Sequence, residues 1–170
     1  RFLDWGVFHV EPSFFPAWRR YQRALRQRNQ SLKSAGTDAE VTAWDGELVS
    51  AGELIHQARE RLLPALHKRL GPLIESLLDQ TEWTLELQRG WSAQQPLSAA
   101  LKAHLGRDRR MGQTLEGPHR AELRLKLGGH TAKHRISRGQ QKMLVAALLL
   151  AQTALIHEAS GRAPTLLVDD

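Results

Sequence analysis

The stretch that most restricts the fold is HRISRGQQKMLVAALLLAQ, residues 134–152. A basic turn punctuated by Gly139 runs without a pause into Met143–Ala151, nine consecutive apolar residues. A helix apolar on every side belongs inside a core, so this segment predicts a fully buried helix. Nine residues fall well short of the roughly 18 that span a bilayer. The chain opens RFLDWGVFHV, without a secretory apolar region followed by small residues. It contains no cysteine, which excludes a disulfide framework and thiolate metal sites and fits a reducing compartment. The expectation is a soluble, intracellular protein.

How the helix begins is open at this level. Ser137 serves as an ordinary N-cap in one reading. In the other the turn holds an anion: unpaired N–H groups and the macrodipole favour negative charge, Gly139 permits close approach, and Arg138 offers a planar cation. The net charge of +6 points to a polyanionic partner, nucleic acid or nucleotide, without choosing between them. At 170 residues and 41% apolar content the chain suffices for one domain, or for a lobe with an appendage.

Periodicity orders the rest. From Phe14 to Ser34 a helix is expected with Trp18, Tyr21, Leu25 and Leu32 on one face. Arg19, Arg20, Arg23, Arg26, Arg28 and Lys33 take the other faces, with no acid between Glu11 and Asp38. SAGTDAE reads as a turn. A second helical pattern runs from about Trp44 to Leu78, through Ile55, Leu62, Leu66, Leu70, Leu73 and Leu77. Pro64 and Gly71–Pro72 are expected to kink or divide it. The pair suggests an antiparallel helical hairpin. In EWTLELQRGW, Trp83, Leu85 and Leu87 alternate with polar residues as in a half-buried strand. QPLSAALKAHLG reads as a short helix stopped by Gly106, and QTLEGPHRAELRLKLGG as two strand-like runs around Gly117–Pro118. The closing run Thr165–Val168 has the composition of a buried parallel strand. The fold class expected is mixed α/β, a lobe with an inserted helical arm. Both ends read as cut, since the chain starts without Met inside an apolar stretch and stops on that strand.

TLLVDD places two carboxylates at the end of the final strand, where ligands of open α/β folds bind. In nucleotide hydrolases the first acid of such a pair holds Mg²⁺ and the next polarises the attacking water. The plainer alternative is a strand ending in solvent. Basic residues are dense: nine Lys or Arg against three acids between Arg107 and Arg138. Such surfaces neutralise DNA phosphates or simply face solvent. Arg107, Arg109, Arg110 and Arg120 are the DNA-binding candidates, and His119 either contacts phosphate or fixes its turn. The scattered histidines lack metal-ligand spacing.

Taken in order, ISRGQQK, an apolar helix and a run ending in Asp-Asp resemble the signature-to-Walker-B segment of ABC-type ATPases. In closer detail RFLDWGVFHVEPSF, WRRYQRALRQRN, WDGELVSAG, TLEGPHRAEL, SRGQQKMLVAALLLAQ and LLVDD resemble landmarks of the RecF family, bacterial recombination-mediator ATPases, along essentially the whole chain. The resemblance implies an ABC-type head formed by 1–11 and 80–170, with 12–79 an inserted helical arm. It implies that Ser137, Arg138, Gly139 and Gln140 contact ATP held by an opposing subunit. Asp169 matches the carboxylate near Mg²⁺. Asp170 stands where most relatives carry a catalytic Glu. The implied function is an ATP-dependent DNA clamp in recombinational repair, cytoplasmic and nucleoid-associated. It would dimerise on ATP, load recombinase at single-strand gaps and junctions with RecO and RecR, and release DNA on slow hydrolysis. None of the thirteen glycines precedes a Lys, so G-x-x-x-x-G-K-[ST] is absent and this chain is expected not to hydrolyse ATP. Two rivals remain: a nucleotide-independent DNA-binding or scaffolding module, and a transporter motor subunit, the latter disfavoured by the basic arm and GPHR.

Overall fold

The computed structural model describes residues 2–79, 81–132, 136–161 and 164–165. It is a mixed α+β fold with six helices among them: α1 (Phe2–Val10), α2 (Phe14–Lys33), α3 (Asp38–Thr42), α4 (Asp45–Leu78), α5 (Leu97–Met111) and α6 (Arg138–Ser160). Strands β1 (Trp83–Gln88), β2 (Glu122–Leu127) and β3 (His130–Thr131) form one sheet in that order. β2 and β3 are antiparallel, with Lys126 opposite Thr131 and Leu127 opposite His130. Two compact units result, Arg1–Pro12 with Arg59–Leu87 and Leu123–Asp170, and Ser13–Ala58 with Gln88–Glu122. Helix α4 supplies residues to both.

In the unit containing α6, Leu3 and Val7 of α1 are buried, as are Leu62, Leu66, Leu70, Ile74 and Leu78 of α4. Pro64 and Pro72 lie inside α4, which they do not divide. A proline in a helix interior costs about 3 kcal/mol, whereas each buried Leu or Ile contributes about 1.5–3 kcal/mol, so burial along α4 outweighs the two lost N–H groups. Past Gly71 the buried series is Ile74 and Leu78, while Leu77 of the expected series is exposed and Leu73 half-buried. α1 packs along α6 closely enough that a Cβ on Gly6 would meet Gln152 Nε2 at 2.5 Å. That amide donates to the Phe2 carbonyl at 2.8 Å.

Helix α6 corrects an expectation. Leu144, Ala147, Ala151, Leu155 and Ile156 are buried, but Met143, Val145 and Leu150 are exposed, so the helix is covered on one side only. Among the described residues it is also the one helix long and apolar enough to cross a membrane by length and composition. Apolarity all round signals what a helix tolerates, not how many neighbours it has in a given chain.

The other unit pairs α2 with the first part of α4. Contacts run from Arg28–Asp45 at one end to Tyr21–Gly52 further along, so the two helices are antiparallel as expected. Buried α2 residues are Phe14, Ala17, Tyr21, Ala24, Leu25, Arg28 and Leu32. Trp18, assigned to that face by spacing, is instead partly exposed, and Arg28 is buried within it. SAGTDAE contains the start of α3, whose N-cap Thr37 and Glu40 form a reciprocal capping box. α5 runs through Gly106 and ends at Gly112, whose positive φ of 63° is the left-handed stop. Of the two strand-like runs around Gly117–Pro118, only the second becomes a strand; Pro118–Arg120 is a single 3₁₀ turn. The closing apolar run from 166 onward lies outside the described residues.

Candidate functional site

The mouth of α6 is built by its own sequence. Ser137 takes extended backbone (φ −63°, ψ 163°) and its side chain accepts from Gln140 N at 3.2 Å. Gln140 Oε1 accepts from Ser137 N at 3.0 Å, closing a second capping box. The S-x-x-Q spacing was the available signal for this reciprocity, and the reading of Ser137 alone missed it. Ser137, Arg138 and Gly139 are exposed. Gly139 has ordinary helical backbone rather than positive φ, and a Cβ there would meet only Ser137 Oγ, at 3.9 Å. Neither conformation nor packing within the described residues therefore calls for glycine. What its missing side chain leaves is open space beside the unpaired N–H groups of a helix start, which suits an approaching anion. Asp169 and Asp170 lie outside the described residues.

The basic candidates belong to the other unit and divide into two kinds. Arg107, Arg110 and Arg120 are exposed. Arg109 is half-buried and engaged: Nε donates to Asp38 Oδ1 at 2.8 Å and Nη1 to the Gly36 carbonyl at 2.7 Å. Between them Asp108 turns inward to Arg28. Arg28 Nη1 donates to Asp108 Oδ2 at 2.6 Å and to Thr114 Oγ1 at 2.9 Å, and Nε to Asp45 Oδ1 at 2.7 Å. Neither the Arg28 nor the Asp108 side chain is exposed at all. Asn29 Oδ1 accepts from Thr114 N at 2.8 Å, and Leu115 N donates to Asp108 Oδ1 at 3.0 Å. This network fastens the segment after α5 to α2 and holds the 107–110 stretch in a fixed rotation.

His119 has a structural assignment. Its Nε2 lies 3.0 Å from the Thr114 carbonyl, which only accepts, so Nε2 carries the proton. Nδ1 then accepts from the Tyr21 hydroxyl at 2.6 Å. Both ring nitrogens are used within the fold. Burial is the main force holding this imidazole below its ordinary pKa, reinforced by the charges of Arg120 and Arg28; the Thr114 bond and Asp108 oppose it. Gly117, before it, has φ 135°, and a Cβ there would meet the Tyr21 hydroxyl at 2.5 Å. GPHR is thus a turn locked by Tyr21, presenting Arg120 outward.

The unit is mixed α+β, and the exposed S-R-G-Q turn that opens its apolar helix is the element whose sequence resembles the signature of ABC-type ATPases. No family model matches the chain. It is 46% identical over all of its residues to the DNA replication and repair protein RecF of Pseudomonas fluorescens SBW25, and 47% identical to that of Stutzerimonas stutzeri A1501. Among solved structures it matches the recombination mediator protein RecF bound to ATP, in the RecFOR pathway, with a TM-score of 0.88 at 22% identity over 99% of this chain. The RecF–ATPrS structure matches with a TM-score of 0.86 at 20% identity over 95% of this chain. Over its whole length the chain is thus similar in sequence to RecF proteins and shares the fold of the two solved ones, and it spans about half the length of the curated relatives it matches, 47% and 46% of the two named.

Proposed function

We propose that this chain carries the signature half of an ATP-gated DNA clamp acting in recombinational repair. The observation that supports it is the α6 start, where Ser137, Arg138 and Gly139 are exposed on a turn closed by a reciprocal capping box. ATP bound on an opposing head would supply the phosphate charge that draws two heads together. Arg138 offers its guanidinium to that charge, Ser137 its hydroxyl, Gly139 the space, and Gln140 holds the turn in shape. Asp169 would hold Mg²⁺ and Asp170 would orient the attacking water, the shorter acid slowing that step. Head closure brings Arg107, Arg110 and Arg120 to DNA, at gaps and junctions, with RecO and RecR as partners in the cytoplasm and nucleoid. The arm's helices come from residues 12–79. As it stands, with no G-x-x-x-x-G-K-[ST], the chain does not hydrolyse ATP.

The test uses a RecF-length protein containing this sequence. Arg138→Ala weakens ATP-dependent dimerisation, read by sedimentation velocity, while ATP binding by the monomer is unchanged. Equal loss of both refutes the assignment. A second reading, a nucleotide-independent DNA-binding module, is favoured by the wholly cationic charge of α2. It predicts DNA affinity indifferent to ATP in the same protein.

A further inference from the structure

The solvent face of α2 combines exposed aromatic rings with a row of exposed cations. Phe15 is 44% exposed and Trp18 36% exposed. Their ring planes lie within 9° of parallel, centroids 6.3 Å apart, and the Arg19 guanidinium sits 5.8 Å from the Phe15 centroid. From Phe15 the stripe continues through Arg19, Arg26 and Lys33, at successive steps of four, seven and seven, with Arg23 beside it, and all four cations are exposed. Arg20, by contrast, is turned to Glu47 at 2.6 Å. Helix α2 contains no acidic residue.

A row of cations alone fits any polyanion, and a duplex would satisfy it through phosphates. Exposed aromatic faces have no use for a duplex whose bases are stacked on one another. They match a strand whose bases are unpaired: planar faces lie against the rings while the phosphates follow the cations. Charge complementarity along the helix and the exposed near-parallel rings therefore select the same occupant. We propose that Phe15 and Trp18 form a stacking platform for unpaired bases of single-stranded DNA, whose backbone runs along Arg19, Arg23, Arg26 and Lys33. This rests on the DNA-binding part of the proposed function and supplies what a basic surface lacks, a means of telling single strand from duplex.

The test uses the 170-residue chain without nucleotide, so it is independent of ATP-driven dimerisation. Fluorescence anisotropy measures binding to a dT oligonucleotide and to a blunt duplex, over a salt series. Phe15→Ala/Trp18→Ala should weaken dT binding by roughly 5- to 100-fold and leave duplex binding little changed. Arg19→Ala and Arg26→Ala should weaken both, each reducing the salt slope by about 1. Trp18→Phe keeps a stacking ring and should retain most dT affinity, while the fluorescence quenching caused by dT shrinks. Both aromatics are exposed, and unchanged circular dichroism and melting verify that the variants fold. Equal loss of dT and duplex affinity in the double aromatic variant overturns the platform, as does wild-type dT affinity. If neither DNA binds the wild-type chain, the DNA-binding reading itself falls; if binding and discrimination stand but ATP-dependent dimerisation is absent, only the clamp falls.

Discussion

Removing Arg28 tests the most consequential interaction in the unit that contains α2. The guanidinium makes three hydrogen bonds, to Asp45, Asp108 and Thr114, at 2.7, 2.6 and 2.9 Å. Arg28→Ala leaves Asp108 fully buried with its Leu115 N–H bond but without countercharge. Breaking one side of a buried pair in this way costs about 3–5 kcal/mol. Asp108→Asn keeps the shape and an acceptor for Leu115, while Asp45 still neutralises Arg28. It removes one charge-assisted hydrogen bond, worth about 1.5–3 kcal/mol. Arg28→Met/Asp108→Leu replaces the pair with apolar side chains of similar volume and should recover much of the single-variant loss. Arg20→Ala is the control, because the exposed Arg20–Glu47 pair is screened by water and salt. Urea unfolding followed by far-ultraviolet circular dichroism supplies each free energy. The reasoning is refuted if Arg28→Ala costs no more than Arg20→Ala, or if the apolar double variant is as unstable as Arg28→Ala.

Two further outcomes follow from the structure. Gly139→Ala should stabilise the chain by up to about 1 kcal/mol, since the backbone there is helical and the space open; the same change in a RecF-length protein should impair ATP-dependent dimerisation. A clear fall in urea midpoint would show that the fold itself requires the glycine. His119 is held below its ordinary pKa of 6.5, so the unfolded chain takes up a proton that the folded chain resists. Its contribution is fully present above about pH 6.5 and is lost as pH falls through the folded value. The stability gap between wild type and His119→Gln should therefore narrow on acidification, and a gap that widens contradicts the Tyr21–His119–Thr114 arrangement.

Much was legible from the sequence because it depends on near neighbours. Leu85 is buried and Thr84 and Glu86 are exposed in β1 as alternation requires, and α2 and α6 begin where Phe14 and Ser137 said they should. The order of SRGQ, apolar helix and Asp-Asp likewise carried the resemblance to RecF proteins, since recognition needs only the linear string. Tertiary structure decided what depends on distant groups. Periodicity put Trp18 inward and Arg28 outward; the fold does the reverse, because Asp108, 80 residues away, and Asp45 neutralise the cation. Pro64 and Pro72 remain helical because burial along α4 outweighs their lost hydrogen bonds. Local pattern tells how apolar a helix is, as at Met143–Ala151, but how much of it is covered is set by which elements pack against it.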